Sequence, residues 1–234
     1  MILELNLNDE IEVSKIKRFL ADNSDSDYMQ SVEWNIIRNE KTKYFIYYVE
    51  NEEIIWSCNL LEKEKNNTKY LYAPRGPVLK NSNFDLINLF LKNIKEWLSI
   101  KKYTTLVINP YINEIDLKKI SSEYNYAITQ NNDYSNLLDS CKLAIMDIIF
   151  NEEELIKKLP SKFRQNTRRS YRKDLTSKIS KEVDLDNFYK LYIQTSERHK
   201  FKPHTIEYFK KLISTYNDNL IFLEVLCLPQ EIYD

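Results

Sequence analysis

Among 234 residues there is a single glycine, Gly76. Loops that wrap a phosphate need several, because the backbone must approach the phosphate oxygens closely and a Cβ stands in the way. The Walker loop, the dinucleotide fingerprint and the glycine-rich pyrophosphate loop of coenzyme A acetyltransferases are therefore excluded. The two histidines, His199 and His204, are too few for a histidine metal cluster and make a Ser-His-Asp triad hard to assemble. Cys58, Cys141 and Cys227 lie far apart and form no CxxC pair, which points to reduced, mostly buried thiols and to no zinc or disulfide framework. No apolar run approaches the ~18 residues that a bilayer span needs. The N-terminus lacks the basic-then-apolar pattern of a signal peptide, so a cytoplasmic location is expected.

The formal net charge of -1 conceals an uneven distribution. Residues 155–181 hold ten Lys or Arg against one acid, Asp174, which leaves about -10 on the remainder. Ser161, after Pro160, is placed to cap a helix over 161–173, and no Pro or Gly recurs until Pro203. Arg164, Arg168 and Arg172 fall at i, i+4 and i+8, on one face of that helix. Their mutual repulsion costs a few tenths of a kcal/mol per pair, roughly, which phosphates could offset. A solvated basic face and an anion-binding face both fit the pattern.

Strand-like and helix-like runs alternate along the chain. Strands are expected at 43–50, 53–61, 70–73, 104–109, 143–150 and 220–226, with a hairpin turning at Asn51-Glu52. Helices are expected at 11–21, 31–38, 84–99, 114–123, 152–159, 161–173, 185–198 and 205–216. The order argues for mixed α/β or α+β layers rather than a barrel. The apolar run at 220–226 lies eight residues from Asp234, in a stretch that otherwise reads as helices. A buried strand there lacks neighbours, so it is either an edge strand or the sign of a chain cut short; the second is the expectation.

Four local patterns carry chemistry. In Tyr28-Met29-Gln30-Ser31-Val32-Glu33-Trp34, Ser31 can cap a helix that buries Trp34 and leaves Arg38 exposed one turn on. In Tyr70-Leu71-Tyr72-Ala73-Pro74-Arg75-Gly76-Pro77-Val78 a strand runs into a stiff turn. Pro74 and Pro77 fix φ, Gly76 is expected to take angles other residues avoid, and Arg75 is held where it could bind phosphate or carboxylate bidentately. Leu106-Val107-Ile108-Asn109-Pro110 ends a strand on a polar residue, a place that often lines a cleft. Thr195-Ser196-Glu197-Arg198-His199-Lys200-Phe201 reads as a helix C-terminus with Arg198 near its end and Phe201 turning inward. Each pattern also has an ordinary structural reading: a capped helix, a turn, a strand end, an arginine against a helix dipole.

Taken in this order, the four patterns and the basic helix between the last two resemble the FemABX family of peptidoglycan-bridge aminoacyltransferases, over roughly residues 26 to 216. The resemblance implies two GNAT-like domains: a first over 1–145 and an incomplete second over 146–234 that carries the basic helix. It implies an amino acid moving from aminoacyl-tRNA to a side-chain amine on the stem peptide of a UDP-linked or lipid-linked cell-wall precursor. The lipid-linked form would bring peripheral membrane contact. It implies no coenzyme A and no metal, since amine attack on an activated ester needs a deprotonated nucleophile and a stabilised oxyanion. By the same resemblance Arg198 and Arg38 bind the acceptor's diphosphate, Arg75 is structural with a share in the site, and Arg164, Arg168 and Arg172 meet tRNA or precursor phosphates.

This chain departs from the family pattern at three positions and in length. Asn109 replaces the common Asp before Pro and can orient a group but cannot accept a proton; Lys202 replaces an aromatic residue and His204 an Arg. The family also continues well past the equivalent of Leu226. The alternatives are a truncated, non-catalytic fragment that binds precursor or tRNA, and a GNAT-like acyltransferase with another donor.

Overall fold

The computed structural model describes residues 1–38, 41–83, 85–110, 151–171, 175–180 and 182–227. The expected helix at 114–123, the expected strand at 143–150, and Cys141 and Arg172 lie outside them. The chain divides into two compact units, Met1–Cys141 and Lys142–Asp234.

The first unit is built on one sheet. Its strands are β1 (Ile2–Glu4), β2 (Lys43–Glu50), β3 (Glu53–Lys65), β4 (Thr68–Ala73), β5 (Val78–Leu79) and β6 (Leu106–Ile108). Their order is β1-β2-β3-β4-β6, with β5 also pairing β3. All neighbours are antiparallel except β4 and β6, which run parallel with Leu71 opposite Leu106 and Ala73 opposite Ile108. Among the described residues, the α-helices of this unit are α1 (Glu10–Ala21), α2 (Val32–Ile37) and α3 (Leu86–Ile100).

Alternation along β2 sorts the core into two layers. Phe45 and Tyr47 pack with Ile16, Phe19 and Leu20 of α1. Ile46 packs with Trp56, Leu60 and Leu71 of the sheet and with Ile87, Phe90, Ile94 and Trp97 of α3. The apolar residues of α3 recur at i, i+3, i+4 and i+7, which is why that helix lies flat on the sheet. Asp9 caps α1 by accepting from the amides of Ile11 and Glu12, both at 3.0 Å. Cys58 is fully buried in the α3 layer as a free thiol, and burial pushes its pKa up. At the sheet's rim the Tyr103 hydroxyl and Lys69 hydrogen-bond Glu62 and hold its carboxyl below the ordinary range.

The hairpin at Asn51-Glu52 forms as expected, with both residues at positive φ (51° and 66°). A second two-residue turn, Asn66-Asn67, also has positive φ (50° and 60°) and carries β3 four residues further than the sequence suggests, to Lys65. The Glu-Lys alternation at 62–65 conceals that extension.

The second unit contains α4 (Glu152–Lys158), α5 (Ser161–Tyr171), β7 (Leu175–Ser180), α6 (Leu185–His199), α7 (Ile206–Tyr216) and β8 (Phe222–Cys227). β8 does have a partner: it pairs antiparallel with β7, Ile179 opposite Leu223. β7 was hidden in the basic run because LTSKIS has only two apolar residues. Phe188 and Tyr192 of α6 each meet Phe209 of α7 with ring centroids 5.0 Å apart, edge to face. No described helix is long and apolar enough to cross a membrane.

Glu52 has a Cβ in a conformation that costs an L-residue about 1 kcal/mol or more. Glu52→Gly is therefore expected to raise the unfolding free energy by about 0.5–1 kcal/mol in urea denaturation.

Candidate functional site

β3 is paired on one side by two strands that do not meet. β5 covers Trp56 and Ser57, and β4 begins at Leu61. Between them the backbone at Asn59 has no strand neighbour on that side, and a side chain takes the place of one. Gln30, fully buried, accepts the Asn59 N–H at 2.8 Å through Oε1 and donates through Nε2 to the Pro74 carbonyl at 2.5 Å. Its primary amide presents the same donor and acceptor pair as a peptide group, which satisfies a stretch of backbone that burial would otherwise penalise.

That arrangement explains the single glycine. Gly76 does not take a positive φ; Arg75 does, at 55°. The expectation that Gly76 supplies a special backbone angle is thus corrected. What it supplies is room, because a Cβ at Gly76 would lie 2.6–2.8 Å from three atoms of the Gln30 amide.

The Pro74–Arg75 peptide group is gripped at both ends. Its carbonyl accepts from Gln30, and its N–H donates to Asn109 Oδ1 at 2.7 Å. Arg75, with 9% of its surface exposed, is thereby fixed at the carboxyl end of β4, and Asn109 follows the carboxyl end of the parallel β6. The carboxyl ends of parallel strands are where α/β sheets open to ligands. Asn109 thus orients the protein's own backbone.

The first helix motif joins the same cluster. Ser31 caps α2 by accepting from the Trp34 N–H at 3.0 Å, as expected, and Trp34 is buried. Asn35 donates to Asn59 Oδ1 at 2.8 Å, and Asn59 Nδ2 donates to the carbonyls of Met29 and Ser31. Arg38 is half-buried rather than exposed, because its guanidinium lies 5.1 Å from the centroid of the Trp34 ring. The Lys43 ammonium closes the end of α2, donating to the carbonyls of Asn35, Ile36 and Arg38, the last at 2.9 Å. A cation on these orphan carbonyls complements the helix terminus.

Arg198 and the basic helix lie in the second unit. Arg198 is exposed in the last turn of α6, which Lys200 ends in the left-handed conformation (φ 57°). Phe201 leans on Tyr192 with centroids 5.7 Å apart but stays 40% exposed, so it turns inward only partly. In α5, Ser161 is the first helical residue rather than the cap, and the first-turn bond runs from the Arg164 N–H to the Pro160 carbonyl. Arg164 also donates from one amino group to the carbonyls of Lys157 and Leu159, at 3.0 and 2.8 Å, tying α5 to the end of α4. Arg168 is exposed. Among the described residues no group of His, Cys, Asp and Glu is arranged to hold a metal ion.

A profile of the FemAB family matches residues 11–229. The chain belongs to the FemAB family. It is 22% identical over 226 residues to a UDP-N-acetylmuramoylpentapeptide-lysine N(6)-alanyltransferase of Weissella viridescens, covering 91% of this chain and 66% of that one. It is 19% identical over 232 residues to the aminoacyltransferase FemB of Staphylococcus epidermidis, covering 91% and 56%. The crystal structure of FemX superposes with a TM-score of 0.71 at 18% identity, covering 96% of this chain and 57% of that one, and shares its mixed α/β fold. The chain thus spans about 56–66% of the length of these relatives.

In this FemAB chain three of the four sequence motifs meet in the first unit, around a residue that the sequence did not single out. Gln30 stands inside the first of those patterns, but the sequence gives it no role of its own. Gly76→Ala is expected to cost about 1–3 kcal/mol of stability through overpacking. In a Gln30→Ala background the same change should cost under about 1 kcal/mol, a non-additivity that urea denaturation of the four proteins would measure.

Proposed function

We propose that this chain is part of a bridge-forming aminoacyltransferase of peptidoglycan synthesis. The observation that carries the reading is Arg75: the peptide group before it is held through both its carbonyl and its N–H, at the carboxyl end of β4 beside the parallel β6, in a chain of the FemAB family. A guanidinium carried on a fixed backbone suits bidentate contact with phosphate oxygens. The name of the Weissella viridescens relative supports the acceptor class, a muramoyl pentapeptide with a lysine side chain.

In this reading the acceptor amine, deprotonated, attacks the ester carbonyl of an aminoacyl-tRNA. An N–C bond forms, the C–O bond to the tRNA ribose breaks, and the amine proton passes to the leaving oxygen. The protein's part is to hold the two substrates in register and keep the amine neutral. Arg38 and Arg75 of the first unit, and separately Arg198 of the second, are each read as groups for the anionic part of the UDP-linked or lipid-linked precursor. Arg38 offers a planar fork backed by Trp34, and Arg198 offers an exposed charge at a helix end. Arg164, Arg168 and Arg172 are read as the groups for tRNA phosphates, with Arg164 also bracing α4. No coenzyme A or metal enters this scheme, and the site of action is the cytoplasm.

The direct test is transfer of a radiolabelled amino acid from charged tRNA to UDP-N-acetylmuramoyl pentapeptide. Transfer supports the reading; transfer from a different acyl donor alone would move the chain to another acyltransferase class, and binding without transfer would make it a binding fragment. Arg198→Ala is expected to weaken precursor binding at least tenfold in calorimetry, and unchanged affinity would remove Arg198 from the site. Arg168→Ala should weaken tRNA binding and lower the slope of log K against log salt by about 0.7–0.9; an unchanged slope would place the tRNA elsewhere.

A further inference from the structure

Several buried and half-buried polar groups of the first unit form one connected line. Lys43 donates to the Arg38 and Asn35 carbonyls, Asn35 donates to Asn59, and Asn59 donates its N–H to Gln30. Gln30 donates to the Pro74 carbonyl, and the N–H of the same peptide group donates to Asn109. The line begins at the backbone of Arg38 and ends at the backbone of Arg75. Buried amides cannot exchange partners with water, so each bond fixes the next.

We propose that Gln30 is a positioning residue that sets the Arg75 turn for anion binding and holds it in register with Arg38. The proposal rests on the reading of Arg75 as a substrate-binding residue. Gln30 is the only described side chain in this line that touches all three of its parts: β3 at Asn59, the turn at Pro74, and Gly76, which is left bare to admit it. Arg75 holds a positive φ that an L-residue does not favour, so its conformation needs holding from outside. Among the described residues, Gln30 and Asn109 are the side chains that grip the peptide group preceding it.

The test uses the full chain with Gln30→Met, which keeps length and removes both hydrogen bonds. In amide hydrogen exchange, the Arg75 N–H should exchange at least tenfold faster, while amides of the β2–β3 ladder away from Asn59 keep their protection. In calorimetry with UDP-N-acetylmuramoyl pentapeptide, Gln30→Met should raise Kd about tenfold in the wild-type background and leave it unchanged in an Arg75→Ala background. Unchanged Arg75 protection would overturn the proposal. So would a Kd that rises equally in both backgrounds, since Gln30 would then not act through Arg75. If the wild-type chain does not bind the nucleotide, the substrate reading fails, and exchange at Arg75 alone decides whether Gln30 sets the turn. Should Gln30→Met not fold, Gln30→Glu in its ionised form keeps the bond from Asn59 and loses the one to Pro74, with the same outcomes expected.

Discussion

The first unit depends on one side-chain amide doing the work of a strand. Where β4 and β5 leave the Asn59 backbone uncovered, Gln30 supplies the missing acceptor and reaches on to the Pro74 carbonyl. Several otherwise unrelated features follow from that insertion. The single glycine of the chain sits where a Cβ would press on the inserted amide. Arg75 is turned into the left-handed region beside it, and Asn109 crosses from β6 to hold the other end of the same peptide group. A buried network of this kind is stable only when every member is satisfied, because a lone unpaired amide costs about 1–3 kcal/mol.

The cationic groups fall into two physical classes. Arg75 and Arg38 are braced, the first by two hydrogen bonds on the peptide group that precedes it and the second by the face of Trp34 with Lys43 closing the helix end beneath it. A fixed backbone at Arg75 and a stacked guanidinium at Arg38 leave less conformational freedom for a ligand to remove, which favours specific contact with a small anion. Arg168 and Arg198 are exposed on helices of the second unit. Long exposed side chains of this sort suit a diffuse polyanion such as a nucleic-acid backbone or the outer part of a phosphate site. The proposed transfer would use both kinds of contact, tight alignment at the reacting centre and looser hold on a large donor.

Much of this was legible in the sequence, and what was not has identifiable causes. Helices with apolar residues at helical spacing, such as α1, α3 and α6, fall within one or two residues of expectation, as does the Asn51-Glu52 hairpin. β7 and the far end of β3 escaped because their solvent-facing positions carry Lys, Ser and Glu, and pairing there comes from backbone partners that no local pattern reveals. The importance of the YAPRGPV turn was visible, but its glycine was given the wrong job. Residue type shows that something requires the absence of a Cβ; only tertiary contact shows that the requirement is space for Gln30 rather than a backbone angle. Arg164 illustrates the reverse case, where helical spacing places it with Arg168 while an amino group of its side chain braces the preceding helix.

The central claim is that the gripped Arg75 turn is where this FemAB chain receives the anionic part of its substrate. Titrating UDP-N-acetylmuramoyl pentapeptide into the isotopically labelled chain and following backbone and guanidinium NMR resonances tests it most directly. Saturable shifts concentrated at Arg75, Asn109 and Arg38 are expected, with the β2–β3 ladder unmoved. Saturable binding that leaves those three residues unshifted would contradict it.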